Sequence, residues 1–442
     1  MLAKIKTDVQ LGSNLTRSVL GRHSGMSTGF RDELMMDNRG LWSIGVAGMI
    51  RSIGYGATWP FMAIFFNRIM HVPIYFVGAI FALLAVFGTV FQIFGGYLSD
   101  FRGRRFTLLL GSSVGIVIYA GIVMLLARGA GPLPLVALFI LTSLSGALVF
   151  PSANALVVDL TLPQDRRRAY SIFRVMTNTG WAVGPIAGSL IFSYGIIWIF
   201  FLVMVTLIAQ LFIIFFLVRD RISHSVRASG GMRSRFSSII VFDRTLAIFS
   251  AGTFLLMVLT SQFSVTLPTY AVARTAVLPN QLGYIYAVNG LVVVFGQFPV
   301  TAAVSRFREE SVLMLGAAFY ALGYSLVAFS GSLLQLMADM VLITIGENLT
   351  TPSMNSMVSK LAPGDRVGRY MAFNGMANSA GRAAGPTVGS LLLFIYAFNG
   401  PLVWSSLDLF GLLSIAIMVY LRISGLPDTR DGAHPYPGSP RR

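Results

Sequence analysis

The sequence predicts an all-α membrane protein with twelve transmembrane helices in two six-helix, pseudo-symmetric bundles. Hydrophobic residues make up 55% of the 442 residues and charged residues only 11%, far below the roughly 25% charged content of soluble domains. Twelve apolar segments are each long enough, at about 20 residues, to cross a bilayer. One long stretch also recurs 200 or 201 residues later, which indicates two homologous halves rather than a short-repeat solenoid.

The twelve segments divide the chain into five regions. In chain order they lie near 41-66, 73-99, 106-128, 134-158, 170-194, 196-218, 245-268, 280-304, 311-331, 334-358, 370-396 and 400-421. Gly and Pro inside these segments do not mark ends, because both are common in transmembrane helices. We therefore predict an N-terminal extension (1-40), an N-terminal bundle (41-218), a linker (219-244), a C-terminal bundle (245-423) and a tail (424-442).

The repeated stretch connects the two bundles. The segments PSANALVVDL from Pro151 and NTGWAVGPIAGSL from Asn178 recur as PSMNSMVSKL from Pro352 and NSAGRAAGPTVGSL from Asn378. Parallel halves of this size in a membrane protein point to a secondary transporter with its site at their interface.

Basic residues of the loops predict the orientation. One face carries 27 Lys and Arg residues, and the other face carries only Arg68, Arg128 and Arg274. Because cytoplasmic loops are enriched in Lys and Arg, we expect both termini to be cytoplasmic and the protein to lie in the cell membrane. Residues 1-40 lack a basic-then-apolar signal pattern, so they are predicted to be a cytoplasmic extension.

Several other classes of protein are disfavoured. The net charge of +16 comes from arginines in short loops rather than from one basic face, so we expect no nucleic-acid partner. The absence of cysteine and the wide separation of the four histidines predict no metal site. No glycine precedes a lysine, which excludes an ATP-binding phosphate loop. Gly111–Gly115 matches a nucleophile-elbow string but lies inside an apolar segment, so we expect neither an enzyme nor a cofactor.

The loop after the second segment, GYLSDFRGRRFTL from Gly96, combines an acid, three arginines and flanking glycines. A positive-inside loop explains the arginines but neither the aspartate nor the glycines. Here the chain resembles the major facilitator superfamily. The family's signature in this loop, G-x-L-x-D-x-x-G-R-R/K-x-x-L, is matched at Gly96, Leu98, Asp100, Gly103, Arg104, Arg105 and Leu108.

The resemblance implies the major facilitator fold and a cytoplasmic gate at this loop. In that family the loop aspartate, here Asp100, sits at the start of the eleventh helix, and an arginine pairs with an acid that ends the fourth helix. Asp159 occupies the place of that acid. The equivalent loop of the second half, 305-308, lacks the aspartate and the glycines, so a one-sided latch is predicted. The predicted gate residues are Gly96, Asp100, Gly103, Arg104, Arg105 and Asp159.

Glycines at four-residue spacing form a stripe on the fifth segment and again on the eleventh. Small residues at this spacing let two helix backbones approach closely. The predicted helix-packing gate consists of Gly180, Gly184, Pro185, Gly188, Gly381, Gly385, Pro386 and Gly389. The fifth-segment pattern G-W-A-V-G-P-I-A-G also resembles the family's signature for exporters that work as antiporters. This resemblance implies the twelve-helix drug:proton antiporter branch, with a lipid flippase or a proton-coupled symporter as the alternatives.

Ionisable residues inside a bilayer are costly and are therefore functional candidates. Arg51, Glu347, Arg382 and Asp408 lie at similar depths in their segments. The resemblance places helices one, four, seven and ten around the substrate cavity, so Arg51 and Glu347 are expected to face each other there. Glu347 is the candidate for proton coupling, and a permanent ion pair with Arg51 is the alternative. Arg382 and Asp408 are expected to form a structural ion pair, and Asp339 is expected in the outer vestibule.

Aromatic and polar residues of the first and seventh segments are candidates for the cavity wall: Tyr55, Trp59, Thr260, Gln262 and Phe263. A few aromatic rings suit an apolar or cationic ligand through dispersion and cation-π contacts. We therefore predict a monomeric transporter that exports small hydrophobic or cationic compounds in exchange for protons. Its partners would be the substrate, protons and the lipid bilayer, and the sequence does not specify which compound is carried.

Overall fold

A computed structural model of the chain describes residues 38–162, 165–218, 243–363 and 366–424. These residues form twelve successive helical rods and contain no β-strand. Most of the predicted N-terminal extension, linker and tail lies outside the described residues.

The first six rods make up the N-terminal half. They are α1 (Asn38–Thr58, continued to residue 69 by short turns), α2 (Ile74–Arg102), α3 (Arg104–Ala127), α4 (Pro132–Asp159), α5 (Arg166–Phe192) and α6 (Ile196–Leu217). The other six make up the C-terminal half. They are α7 (Arg244–Thr260, continued by Ser261–Phe263 and Thr266–Arg274), α8 (Leu282–Val304), α9 (Glu309–Val327), α10 (Leu333–Leu361), α11 (Val367–Ile395) and α12 (Gly400–Ile423).

Nine helices within the described residues are long and apolar enough to cross a membrane, and α1, α5 and α11 are the rods that do not meet both criteria. The rod α1 is divided into short pieces at its end. The rods α5 and α11 carry glycines, asparagines and arginines within their length. Their lower hydropathy reflects where these helices lie, since both face other helices and a central cavity.

Two rods, α1 and α7, are interrupted at related points. In α1 the α-helix changes to a 3-10 turn at Trp59–Phe61, where Pro60 has no N–H to continue the hydrogen-bond ladder. In α7 the break falls at Ser261–Phe263, just before Pro268, whose ring is incompatible with a regular helix over the preceding turn. Interrupted helices of this kind line the sites of many transporters.

Helix packing follows the same scheme in both halves, which supports two six-helix bundles related by pseudo-symmetry. In the N-terminal half, α1 packs on α5 and α6, and α4 packs on α2 and α3, with α3 against α6. In the C-terminal half, α7 packs on α11 and α12, and α10 packs on α8 and α9, with α9 against α12. Between the halves, α2 packs on α11 and α5 packs on α8.

The glycine stripes hold α5 against α1 and α11 against α7 inside each half. A Cβ atom added to Gly180 would lie 2.3 Å from the carbonyl oxygen of Met49, and one added to Gly188 would lie 2.2 Å from that of Ala57. A Cβ on Gly381 would lie 2.5 Å from the carbonyl oxygen of Phe254, 205 residues after Met49. Real side chains do not tolerate these distances, so the stripe positions need glycine for close helix packing.

The two halves touch at one end of the bundle, where α1 ends and α2 begins. We call it the opposite end, because the other end carries the arginine-rich loops and is called the basic end. At the opposite end Thr387 Oγ1 donates to the carbonyl oxygen of Gly78 at 3.2 Å, and the N–H of Gly283 donates to Ser189 Oγ at 2.9 Å. Arg68 Nη2 also donates to the carbonyl oxygen of Val272 at 3.0 Å.

At the basic end the helices that join the halves are apart. A Cβ atom added to Gly96 of α2, or to Gly368 or Gly375 of α11, would have nothing within 4 Å. Side chains of the basic-end part of α2, such as Phe94 and Phe101, are exposed. The central space therefore opens towards the basic end in this conformation.

Candidate functional site

The two halves enclose a central cavity with a volume of about 960 Å³. Its wall mixes aromatic rings with amide and hydroxyl groups, and it receives residues from both halves. Four of the five predicted wall residues line it, namely Tyr55, Trp59, Thr260 and Phe263. A cavity of this size and composition is typical of small-molecule sites, which are apolar surfaces with a few placed polar groups.

Gln262 is the predicted wall residue that lies elsewhere. Its side chain is fully buried, and its Nε2 donates to the carbonyl oxygens of Val258 at 2.6 Å and Gly385 at 3.0 Å. Its Oε1 accepts a hydrogen bond from Thr266 Oγ1. Gln262 therefore joins α7 to α11, because it lies on the face of α7 that packs against the glycine stripe.

Glu347 projects from α10 into the cavity. Its Oε2 accepts a hydrogen bond from Asn289 Nδ2 at 2.9 Å, and the same amide donates to Thr344 Oγ1 at 3.0 Å. Among the described residues no cationic group forms an ion pair with this carboxylate. The cavity thus contains a partly exposed acid that is fixed by a neutral amide.

Arg51 lies beside the cavity wall and does not pair with Glu347. Its guanidinium stacks over the ring of Tyr55, with 4.3 Å between Cζ and the ring centroid. Its Nε is buried and has no hydrogen-bond partner among the described residues. A Cβ on Gly146 of α4 would be 3.7 Å from its Nη2. The alternative role of Glu347, a permanent ion pair with Arg51, is therefore not the one adopted in this conformation, because Arg51 turns towards Tyr55 and α4.

The expected ion pair between Arg382 and Asp408 is wrong. Arg382 lines the cavity, where its Nε donates to Asn378 Oδ1 at 3.0 Å. Asp408 is buried outside the cavity, and its Oδ2 accepts a hydrogen bond from Ser325 Oγ of α9. The reason is that α12 packs on α7 and α9. Although α11 and α12 are consecutive in sequence, the two side chains point in different directions.

Asp339 does not lie in an open vestibule. Its side chain is buried, and its Oδ2 accepts a hydrogen bond from Ser330 Oγ at 2.5 Å. This contact ties α10 to the turn that precedes it, so Asp339 is separated from the cavity wall.

The loop between α2 and α3 forms a compact charge cluster. Arg104 Nη1 lies 2.7 Å from Asp100 Oδ1, and Arg104 Nε lies 3.3 Å from Asp159 Oδ2 at the end of α4. Arg105 Nη2 donates to the carbonyl oxygen of Phe215 at 2.6 Å. Gly103, with a φ of 96°, makes the turn between the helices. In this conformation the Asp100 side chain is 54% exposed and binds its own half rather than α11.

The second half has a pair at the same place with the charges exchanged. Glu309 is the first residue of α9, as Arg104 is the first residue of α3. Lys360 is the equivalent of Asp159 in the second half, 201 residues later. Lys360 Nζ lies 3.1 Å from Glu309 Oε1, which also accepts a hydrogen bond from Ser356 Oγ at 2.6 Å. An ion pair between the ends of two neighbouring helices is therefore kept in both halves, whereas the loop 305-308 lacks the aspartate and the glycines of the signature, so the one-sided latch stays a prediction.

Sequence reasoning missed several cavity residues. Asn178 and Asn378 occupy equivalent positions of the repeat, and both line the cavity, as do Asn289 and Trp181. The repeat could have indicated Asn178 and Asn378, because a polar residue that occurs at the same place in both halves is a candidate for the cavity between them. Asn289 had no such signal, because it becomes recognisable only through its hydrogen bond to Glu347.

An α-helical membrane protein whose two pseudo-symmetric halves close at one end over a central polar and aromatic cavity has the architecture of a membrane transporter. The chain belongs to the Major Facilitator Superfamily, whose sequence profile matches residues 44–278 and 249–435. This match confirms the resemblance found in the loop after the second segment.

Individual relatives are distant. The chain is 26% identical over 381 residues to the uncharacterized MFS-type transporter YttB of Bacillus subtilis, covering 84% of this chain and 92% of that protein. It is 26% identical over 378 residues to the multidrug resistance protein MdtH of Edwardsiella ictaluri, covering 83% and 90%. It is 23% identical over 428 residues to a Na(+), Li(+), K(+)/H(+) antiporter of Planococcus maritimus, covering 90% and 98%.

Among solved structures, that of a variant of the nucleoside transporter NupG superposes with a TM-score of 0.73, at 12% identity. The superposition covers 87% of this chain and 99% of that chain. At this level of identity the likeness shows the fold alone.

Proposed function

We propose that this protein is a secondary active transporter that exports small hydrophobic or cationic organic compounds in exchange for protons, by alternating access. The observation that carries the proposal is Glu347, a carboxylate that faces the central cavity without a cationic partner among the described residues. A mobile proton and a cationic compound can both neutralise such a group.

The chemistry of exchange follows from the position of Glu347. An unpaired carboxylate is disfavoured at this depth of a membrane, so it is stabilised either by a proton or by a cation. Because the proton and the cation stabilise the same Glu347 carboxylate, binding of a cation displaces the proton. The amide of Asn289 holds the carboxylate in position in this structure, and we expect it to do so in both states.

The conformation fits the loading step of an exporter. The arginine-rich loops support a cytoplasmic location for the basic end, and with this orientation the cavity of this structure would be open to the cell interior. A compound would enter from there and meet the rings of Tyr55, Trp59 and Phe263, which line the cavity. Opening of the contacts between α2 and α11 and between α5 and α8 would then expose it to the other side.

The names of two relatives support the proposed direction of transport, which is export, and the proposed coupling to protons. One is named a multidrug resistance protein, and another is named a cation/proton antiporter. Both cover more than four fifths of this chain. Their names describe those proteins, and their low identity leaves the compound carried by this chain to experiment.

The test is transport in proteoliposomes with and without an imposed pH gradient. For a lipophilic cation as the probe, we expect uphill accumulation that depends on the gradient and that is lost in Glu347→Gln. Asp339→Asn is the matched control, because it makes the same carboxylate-to-amide change at a buried site outside the cavity. Full accumulation in Glu347→Gln, or loss of coupling only in Asp339→Asn, would contradict the assignment. Movement of the probe in the same direction as the protons would indicate a symporter instead.

A further inference from the structure

Arg382 presents an unsatisfied guanidinium to the cavity. Its Nε is held by Asn378 Oδ1 at 3.0 Å, whereas its two terminal nitrogens have no hydrogen-bond partner among the described residues. The residue lines the cavity and is exposed. An arginine whose orientation is fixed at Nε and whose Nη1 and Nη2 are free is prepared to bind a carboxylate or phosphate in the two-point geometry that guanidinium groups favour.

The repeat shows that the cavity charges belong to one half. Arg382 corresponds to Trp181 by the 201-residue offset, and Glu347 corresponds to Gly146. All four residues line the cavity. The C-terminal half therefore supplies an anionic and a cationic side chain, Glu347 and Arg382. At the equivalent positions the N-terminal half supplies a glycine and an aromatic ring.

Glu347 and Arg382 are both free to meet a ligand. They form no ion pair with each other, yet both line the same cavity between the two halves, together with Tyr320. A purely cationic compound that reached Glu347 would leave the guanidinium of Arg382, in the same cavity, without a counter-charge. A guanidinium without a counter-charge is energetically unfavourable inside a membrane, and it also repels the bound cation.

We propose that the cavity binds amphoteric aromatic compounds. The cationic group would pair with Glu347, the anionic group would pair with Arg382 Nη1 and Nη2, and the ring would lie against the aromatic wall that includes Trp181. This proposal rests on the proposed transport function and narrows its substrate class. A volume of about 960 Å³ is at the upper end of the usual range for small-molecule pockets, so the cavity accommodates a two-ring compound with both charges.

The test is equilibrium binding in nanodiscs without any gradient, with probes that share one ring system. The probes are 2-naphthylalanine, which is zwitterionic, and its methyl ester, which keeps the cation and lacks the anion. For the wild type we expect the amino acid to bind at least about tenfold more tightly than the ester. This ratio is the gain in affinity that one charge-assisted hydrogen bond provides. Arg382→Gln should remove this preference, and Arg382→Lys should keep part of it because lysine retains the charge.

Controls separate recognition from a structural effect. Arg128→Gln, in an exposed loop at the opposite end, should leave both affinities unchanged. Glu347→Gln should weaken both probes to a similar extent, since both carry the cation. The proposal is overturned if the wild type does not prefer the zwitterion, or if Arg382→Gln weakens both probes equally. Such a result would leave the transport proposal standing, because proton-driven movement of the cationic ester is measured separately.

Discussion

Replacing Gly283 by alanine tests how the two halves close. Gly283 is the second residue of α8, and a Cβ atom there would lie 1.9 Å from the carbonyl oxygen of Pro185 and 2.2 Å from Ser189 Oγ. The first of these atoms is backbone and cannot move aside without shifting α5. Alanine should therefore force α5 and α8 apart at the opposite end.

The size of the effect follows from the overlap. Overpacking of a tight contact costs roughly 1 to 3 kcal/mol, which corresponds to about a 5- to 150-fold change in the equilibrium between the two conformations. The cost applies only to the conformation in which the opposite end is closed. The population should therefore move towards the conformation that is closed at the basic end.

The chain contains no cysteine, so spin labels can be attached at single introduced cysteines without removing native ones. Labels at residues 101 and 368, on the basic-end parts of α2 and α11, should report a shorter distance in Gly283→Ala. Gly375→Ala is the matched control, because it makes the same glycine-to-alanine change within a helix and a Cβ there meets nothing within 4 Å. Equal distance distributions in the two variants would refute the reasoning.

Two further predictions concern the ends of helices. Asp243 caps α7 by accepting hydrogen bonds from the N–H groups of Thr245 and Leu246, and it also accepts one from Tyr370. Although partial burial raises its pKa, these hydrogen bonds together lower the pKa below the ordinary value. The carboxylate therefore stabilises the fold above about pH 4, and this contribution is lost as the pH falls through the lowered pKa. Asp243→Ala should cost roughly 1 kcal/mol at pH 7, and the difference in melting temperature from the wild type should shrink at pH 3. Separately, Glu309→Lys should destabilise by about 0.2 to 1 kcal/mol because the pair with Lys360 is partly exposed. The double variant with Lys360→Glu should recover most of that loss in thermal unfolding, and a double variant no more stable than the single one would show that the pair contributes nothing.

The sequence predicted the site only in part, and the failures share a physical cause. Tyr55, Trp59, Thr260, Phe263 and Glu347 lie on the cavity wall, since segments one, seven and ten are the helices that line it. Depth along a helix was available from residue counting. The rotation of each helix about its own axis could not be predicted, because a transmembrane helix is apolar on every side and its sequence carries little periodic pattern.

By itself, the sequence determined that this protein is a twelve-rod, two-half helical membrane protein with the loop signature of its family. Hydropathy and internal repeat are properties of the chain alone, so they need no knowledge of contacts. Only the tertiary structure decided which charges meet. Arg382 binds Asn378 in the cavity and Asp408 binds Ser325 away from it, because helices that are consecutive in sequence present their side chains to different neighbours. A side chain's partner depends on helix rotation and packing, and these are fixed by the close approach of α11 to α7 at its glycines.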